Sequence, residues 1–264
     1  MVNGMVGMKN GFNRQVNKAT IPVCEILGVG IAAIDMDWLL DFTCQNIKDL
    51  SGDYMCVSNV HTTVMAFEDA EYRSIQNGGI MAIPDGGPLS SVGKGRGFAQ
   101  MRRTTGPSYM EEILRISEQH GWRHFFYGST EETLQKMQKE LLQKYPGLQI
   151  AGMYSPPFRP LSEEEDEAVI RRINEAEPDF VWIGLGAPKQ ERWMAEHQGK
   201  VQGFMVGVGA GFDYLAGNIR RAPKWMQTSN MEWFYRLLQD PKRLFKRYMV
   251  TNLKFIWYAI LKGE

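Results

Sequence analysis

The chain has 264 residues, 44% of them hydrophobic and 23% charged, with a formal net charge of zero. That is one large domain, or one domain plus an appendage, of ordinary globular composition. The three cysteines, Cys24, Cys44 and Cys56, are odd in number and show no CxxC spacing. They argue against a disulfide framework or a zinc site and fit a reducing cytoplasm.

The zero charge hides an asymmetry. Residues 217–264 carry ten Lys/Arg against three acids, +7, while residues 1–216 carry 20 against 27, −7. A basic tail on an acidic body points to an anionic partner: a membrane surface, nucleic acid or a phosphate-bearing substrate. The longest apolar run, Phe255–Leu261, falls well short of the ~18 residues of a spanning helix. Residues 1–19 are rich in Met, Asn and Gly without an apolar core, and read as a flexible leader, not a signal peptide.

In chain order, residues 25–34 read as a glycine-interrupted hairpin or strand, followed by Asp35-Met-Asp37 and a helical pattern from Trp38 to Ile47. Asp-x-Asp is a divalent-metal signature in many sugar transferases. Asp37 directly before an amphipathic helix reads better as an N-cap. Tyr54–Val57 is a strand ending in Ser58-Asn59, with a helix expected through Tyr72. His61 is read as structural, since the other histidines offer no metal spacing with it. Ile80–Asp85 is a strand ending in an acid before two glycines, which is a turn signal and also a fitting place for a general base. Residues 90–97 read as a mobile basic loop able to close over a ligand. Arg102 and Arg103 then precede a helix from Pro107 to about Gln119, a phosphate site or a solvated basic turn.

Strand His124–Gly128 leads to a capping box Ser129–Glu132 and a helix to Tyr145, with Glu132/Lys136 and Glu140/Lys144 spaced for ion pairs. Strand Leu148–Gly152 and a second capping box, Ser162–Glu165, follow. Phe180–Ile183 is a charge-free strand, Gly184-Leu-Gly186 a tight turn, and Pro188 the start of a helix to about His197. Open α/β sheets place their ligands at such carboxyl ends. Gly203–Gly207 is the last strand. Strands alternating with helices of ten to fifteen residues predict an α/β fold: a Rossmann-like, mostly parallel sheet with helices on both faces.

A dinucleotide fingerprint is not met. The run Gly207-Val-Gly-Ala-Gly211 has Phe212 where the third glycine belongs, and Gly184-Leu-Gly186 has Lys189 there. A nicotinamide oxidoreductase or an epimerase stays as the alternative enzyme class. The tail pairs aromatics with cations: Leu244/Tyr248 and Phe245/Met249 on one helical side, Arg243, Lys246 and Arg247 on another. That suits an interfacial helix on anionic headgroups; the other reading packs the aromatics on the core. No nucleic-acid recognition motif is present. A membrane-docking module without catalysis is the third class.

Several blocks occur together and in order: Pro84-Asp-Gly86, Arg103-Thr-Thr-Gly106, Gly184–Glu191, Gly207–Asp213, Arg221–Met226, Glu232–Gln239 and Pro241–Leu244. With them, roughly residues 25–255 resemble the WecG/TagA/CpsF glycosyltransferase family (family 26). The resemblance implies an inverting, metal-independent transferase without a cofactor, peripheral on the inner face of the plasma membrane. Its substrates would be a UDP-sugar (N-acetylmannosamine or a related hexose) and a polyprenyl-diphosphate-linked glycan acceptor, for teichoic acid or another cell-surface polysaccharide. It implies a leader over 1–19, a catalytic Rossmann-like domain over 20–216 and a membrane-docking helical appendage over 217–264. A homo-oligomer is an open option.

By resemblance, Asp85 is the catalytic base. Asn59, Arg103, Gln190, Gly184, Gly186, Gly207, Gly209, Asp213, Arg236, Arg243 and Arg247 bind substrate. The chain departs from the family at Val57, usually Thr, at Ser108, usually an acid, and near His61.

Overall fold

The computed structural model describes residues 16–261; most of the expected leader, residues 1–15, lies outside the described residues, as do 262–264. Asn17 caps a short turn over Lys18–Thr20, and Lys18 Nζ donates to the Asn77 carbonyl at 2.6 Å, so this stretch is already seated on the body.

The strands β1 (Val23–Ile26) and β2 (Val29–Ala32) form the expected hairpin. Leu27 and Gly28 close it at φ 52° and 77°, the left-handed pair that a two-residue turn requires. Then follow α1 (Met36–Asn46), β3 (Tyr54–Ser58), α2 (Val60–Glu68), α3 (Ala70–Gly78), β4 (Met81–Pro84), α4 (Gly87–Gly95) and α5 (Gly106–His120). The second half contains β5 (Arg123–Gly128), α6 (Glu131–Lys144), β6 (Gln149–Tyr154), α7 (Glu163–Glu175), β7 (Phe180–Gly184), α8 (Lys189–Glu196) and β8 (Phe204–Gly207).

One eight-stranded sheet results, in the order β1-β2-β4-β3-β8-β7-β5-β6. It is parallel except for the β1–β2 pair. Because side chains alternate along a strand, the central strands feed two cores. Met55, Val57, Phe126 and Trp182 pack with Leu39, Tyr109, Ile113 and Met137 of α1, α5 and α6. Tyr54, Cys56, Val181 and Ile183 pack with Val64, Tyr72, Val169 and Met194 of α2, α3, α7 and α8. The α/β architecture inferred from the sequence is the one observed.

Four local expectations need correction. The cap of α1 is Asp35, whose carboxylate accepts the Trp38 amide at 2.9 Å, and Asp37 sits inside the first turn. The helix expected through Tyr72 breaks at Asp69, which leaves α2 and caps α3 by accepting from Glu71 and Tyr72. The capping box at Ser129–Glu132 does not form: Thr130 is the cap of α6, and Lys144 pairs with Glu111, not Glu140. The stretch 90–97 is not a loop; most of it belongs to α4, with Leu89 fully buried. Its Gly93 lies where any side chain would strike the Met101 sulfur, so that glycine serves close packing.

Beyond β8 come α9 (Gly211–Leu215), α10 (Lys224–Thr228), α11 (Glu232–Gln239) and α12 (Pro241–Phe255), with a π-type turn over Ile256–Leu261. The last helix and the turn after it lie along α2: Leu244, Thr251, Phe255 and Ala259 are buried, the Tyr258 ring lies tilted against Phe67 with centroids 4.7 Å apart, and Lys254 pairs with Glu68 at 2.6 Å. Sequence grouping put Leu244 with Phe245 and Met249. The helix separates them, because adjacent residues point about 100° apart and α2 takes the Leu244 stripe. Phe245, Lys246 and Met249 face outward, with Leu253 and Trp257 beyond them. Among the described residues, no helix is long and apolar enough to cross a membrane.

Candidate active site

Strand register alone brings most of the candidate residues to one edge. Ser58 pairs with Pro84, Ile183 with Gly207 and Gly128 with Gly184, so these strands end level. The residues that follow them, Asn59, Asp85, Leu185–Gly186 and Val208–Gly209, line the carboxyl edge of the sheet. Asp85 N donates to the Ser58 carbonyl at 2.8 Å and Val208 N to that of Ile183 at 3.0 Å. The edge is therefore held by backbone hydrogen bonds beyond the strands themselves.

Asn59 caps α2, its Oδ1 accepting from His61 N at 3.0 Å and Thr62 N at 3.2 Å. Capping uses only the oxygen; among the described residues, the amide Nδ2 keeps its donors. The neighbouring His61 has a buried Nδ1 without a partner among the described residues. Burial lowers its pKa, and the charge of Arg247 on α12 lowers it further. Arg247 thus lies on the α2 side of α12, within electrostatic reach of His61.

Gln190 is buried, 4% exposed, and is held entirely within the protein. Its Oε1 accepts from Gly186 N at 3.2 Å and Gly209 N at 3.0 Å, and its Nε2 donates to Glu191 Oε1 at 2.9 Å. It therefore ties the two glycine turns together. Glu191 behind it is fully buried, and burial raises its pKa. Gly184 makes room for the Phe212 ring and Gly207 for Gln190 and Met194; an added Cβ would meet these at 2.7 and 2.9 Å. At these two positions the protein's own side chains fill the space. Asp213 stands in α9, its Oδ1 accepting from Asn218 Nδ2 at 3.2 Å.

Asp85 is the electrostatic centre. Its pKa is pushed up to about 6, first by burial of the carboxyl; Glu232 raises it too, while Arg103, Arg236 and Arg221 pull it down. A carboxyl tuned toward neutrality at the rim of a sheet has the proton affinity of a general base. Arg103 reaches across this centre: Nε donates to the Asp85 carbonyl at 2.9 Å, Nη1 to that of Gln227 at 3.1 Å, and Nη2 pairs with Glu232 Oε2 at 2.6 Å.

Arg221 enters from the segment before α10, donating to Ser108 Oγ at 2.9 Å and Glu111 Oε2 at 3.1 Å. Arg236 on α11 stands over the Tyr214 ring, 5.5 Å from its centroid, and Arg221 stands 5.8 Å from the same ring. A cleft of about 370 Å³ contains Arg103, Lys94 and Arg102, and another of about 460 Å³ contains Arg221 and Tyr214.

Asn59, Asp85, Arg103 and Arg236 are thus gathered at one end of the sheet, with Arg247 near His61. Gln190 and the glycines form the floor further along the edge. The backbone of Arg243 is in the first turn of α12, and its side chain lies outside the described residues. Sequence reasoning assigned no role to Arg221, Glu232 or Tyr214. The available signal was the spacing of Glu232 and Arg236, one turn apart on a helix that must face the sheet somewhere.

Residues 24–263 match the model of the Glycosyl transferase WecG/TagA/CpsF family. A Bacillus subtilis (strain 168) N-acetylglucosaminyldiphosphoundecaprenol N-acetyl-beta-D-mannosaminyltransferase is 28% identical over 209 residues, 77% of this chain and 80% of that protein. Proteins of the same name from Staphylococcus aureus strains MW2 and NCTC 8325 / PS 47 are each 32% identical over 163 residues, 61% of this chain and 61% of theirs. With the family model covering nearly all of the described sheet and the helices after it, this chain belongs to the WecG/TagA/CpsF family and is a glycosyltransferase.

Proposed function

We propose that the chain transfers N-acetylmannosamine, or a closely related hexose, from a UDP-sugar to a polyprenyl-diphosphate-linked sugar, with inversion at the anomeric carbon. The observation that carries this reading is the convergence of Arg103, Arg221 and Arg236 on Asp85. The relatives' name supplies the acceptor, an N-acetylglucosaminyl diphosphoundecaprenol.

A sugar hydroxyl is a weak nucleophile, and Asp85 takes its proton as the oxygen attacks the anomeric carbon. The bond from that carbon to the diphosphate oxygen breaks, and the nucleoside diphosphate leaves with the electron pair. Its charge is met by guanidiniums, Arg236 foremost, with Arg243 and Arg247 on the following helix. Unlike a glycosidase, which protonates its leaving group with a second carboxyl, such a site needs a single carboxyl. Asn59 offers its amide to the sugar. The turns Gly184–Gly186 and Gly207–Gly209, braced by Gln190, hold the nucleotide together with Asp213.

In this reading residues 20–216 are the catalytic body and 217–264 an appendage that completes the site and docks on the inner face of the membrane. Support comes from the outward apolar face of α11, α12 and the π-type turn after it, where Trp233, Phe245, Leu253 and Trp257 are exposed, with Lys242 and Lys246 exposed on α12.

The test is direct. Purified full-length protein, UDP-N-acetylmannosamine and a short-chain prenyl-diphosphate N-acetylglucosamine should yield a disaccharide lipid by mass spectrometry. Asp85→Asn should still bind UDP and form no product. Full turnover by that variant would remove Asp85 as the base, and absence of product from any UDP-hexose offered would reject the substrate class.

A further inference from the structure

Glu232 is an acid that bears on the candidate base without being assigned to the reaction, and it is only 8% exposed. It opens α11 and stands between two guanidiniums, Arg103 Nη2 at 2.6 Å and Arg221 Nε at 3.8 Å. Neither partner belongs to its own helix. Arg103 lies just before α5 and is fixed at its other end to the backbone of Asp85. Arg221 is fixed to α5 through Ser108 and Glu111. Burying a carboxylate among cations costs desolvation that pairing only offsets, so such a triad rarely exists for stability alone.

What it does here is geometric. Arg236 lies one helical turn beyond Glu232, and residues four apart share a helix face. Seating Glu232 in the Arg103–Arg221 fork therefore seats Arg236 over Tyr214. The Nε of Arg236 is buried there without a hydrogen-bond partner among the described residues. Of the three arginines that bear on Asp85, Arg103 is paired with Glu232 and Arg221 with Glu111 and, more distantly, Glu232, and Arg236 is left for another anion.

We propose that Glu232 is a positioning residue of the transfer site, its carboxylate latching α11 to Arg103 and Arg221 so that Arg236 faces the departing diphosphate. The inference rests on the reading of Asp85 as base and Arg236 as leaving-group partner. It also has an electrostatic consequence. The groups bearing on Asp85 are Arg103 before α5, Arg221 before α10, and Glu232 and Arg236 on α11; Asp85 in turn bears on Tyr214 of α9. Glu232 is the only one of the four that raises its proton affinity.

The experiment is the pH profile of turnover in E232Q and E232D, with UDP-N-acetylmannosamine and the short-chain acceptor, alongside thermal melts and D85N. With the latch cut, kcat should fall about tenfold or more, since a loosened charge partner forfeits at least that in the transition state. The acid limb should move to lower pH by about half a unit, because a like negative charge beside Asp85 has gone. E232D, which keeps the charge but withdraws it, should lie between E232Q and the parent in both respects, so either variant suffices if the other fails to fold.

A purely structural Glu232 would lower the melting temperature while the folded variant keeps kcat within about twofold of the parent and an unmoved limb. That result, or unchanged kcat in both variants, overturns the proposal. If D85N itself turns over, the base reading fails instead, and the two failures are told apart.

Discussion

Gln190 Oε1 accepts the Gly209 amide at 3.0 Å while also holding the Gly186 amide at 3.2 Å, so the turns after β7 and β8 behave as one unit. A side chain whose oxygen accepts two bonds and whose nitrogen donates one within the protein keeps at most one amide N–H for a ligand. Its contribution to a nucleotide site would be the shape of the two turns. Gln190→Ala leaves two half-buried amides without this partner and should destabilise the fold by about 1–2 kcal/mol in urea unfolding. Donor KM should rise more than kcat falls. An unaltered urea midpoint combined with lost donor binding would return Gln190 to direct contact.

The raised pKa of Asp85 makes a prediction about pH. A general base works deprotonated, so turnover should fall as pH drops through about 6, the value to which burial chiefly pushes this carboxyl. The same shift has a sign for stability. The folded pKa lies above the ordinary 3.8, so folding prefers the protonated form, and stability is lost as pH rises through about 6. Asp85→Asn, which mimics the protonated form, should therefore raise Tm at pH 8, by about 2 °C or more, and make no gain at pH 4. An Asn variant that melts lower at pH 8 would mean that the arginines outweigh burial.

The sheet was legible in the sequence because its strands are charge-free runs between helical periods, and the edge was legible because Asn59, Asp85 and the glycine pairs each end such a run. What stayed hidden is long-range charge pairing. Nothing local links Arg103 to Glu232 across 129 positions, and the fork that joins them forms only when α10 and α11 fold back over the carboxyl edge. The region 90–97 misled for the opposite reason. Its Gly and Ser residues suggest mobility, while in the fold Gly93 lets the Met101 side chain pack close against the helix. For α12, composition named the two faces but not which one the body would cover.

Gly128 joins the site edge to the fold's stability. It sits at φ 124°, paired in register with Gly184, and an added Cβ would lie 2.7 Å from the Gly184 carbonyl carbon. The obstacle is backbone, which cannot rotate aside as a side chain can. Gly128→Ala should cost about 2 kcal/mol or more in urea unfolding, from backbone strain and the clash together. Gly97→Ala is the control: its φ of 95° is also left-handed, but nothing lies within 4 Å of the added carbon. It should cost clearly less, and equal losses would show that the clash at Gly128 is relieved by movement of β7.

The outward face of α12 provides the last test. Leu253 and Trp257 are 61% and 55% exposed, next to an inner stripe that is buried on α2. Since they contribute little to the fold, Leu253→Ser with Trp257→Ser should leave Tm within about 2 °C of the parent. If this face docks on lipid, the pair should weaken binding to phosphatidylglycerol-containing vesicles at least tenfold, because burying each such side chain is worth about 1.5–3 kcal/mol. Lys242→Gln with Lys246→Gln should also weaken binding, and more at low salt than at high, since headgroup attraction is screened. Turnover of a water-soluble short-chain acceptor should be retained in both double variants, since neither pair touches Asp85, Arg236 or their partners. Vesicle binding that survives both would move the docking surface elsewhere on the chain, and loss of soluble-acceptor turnover would show that this face shapes the site itself.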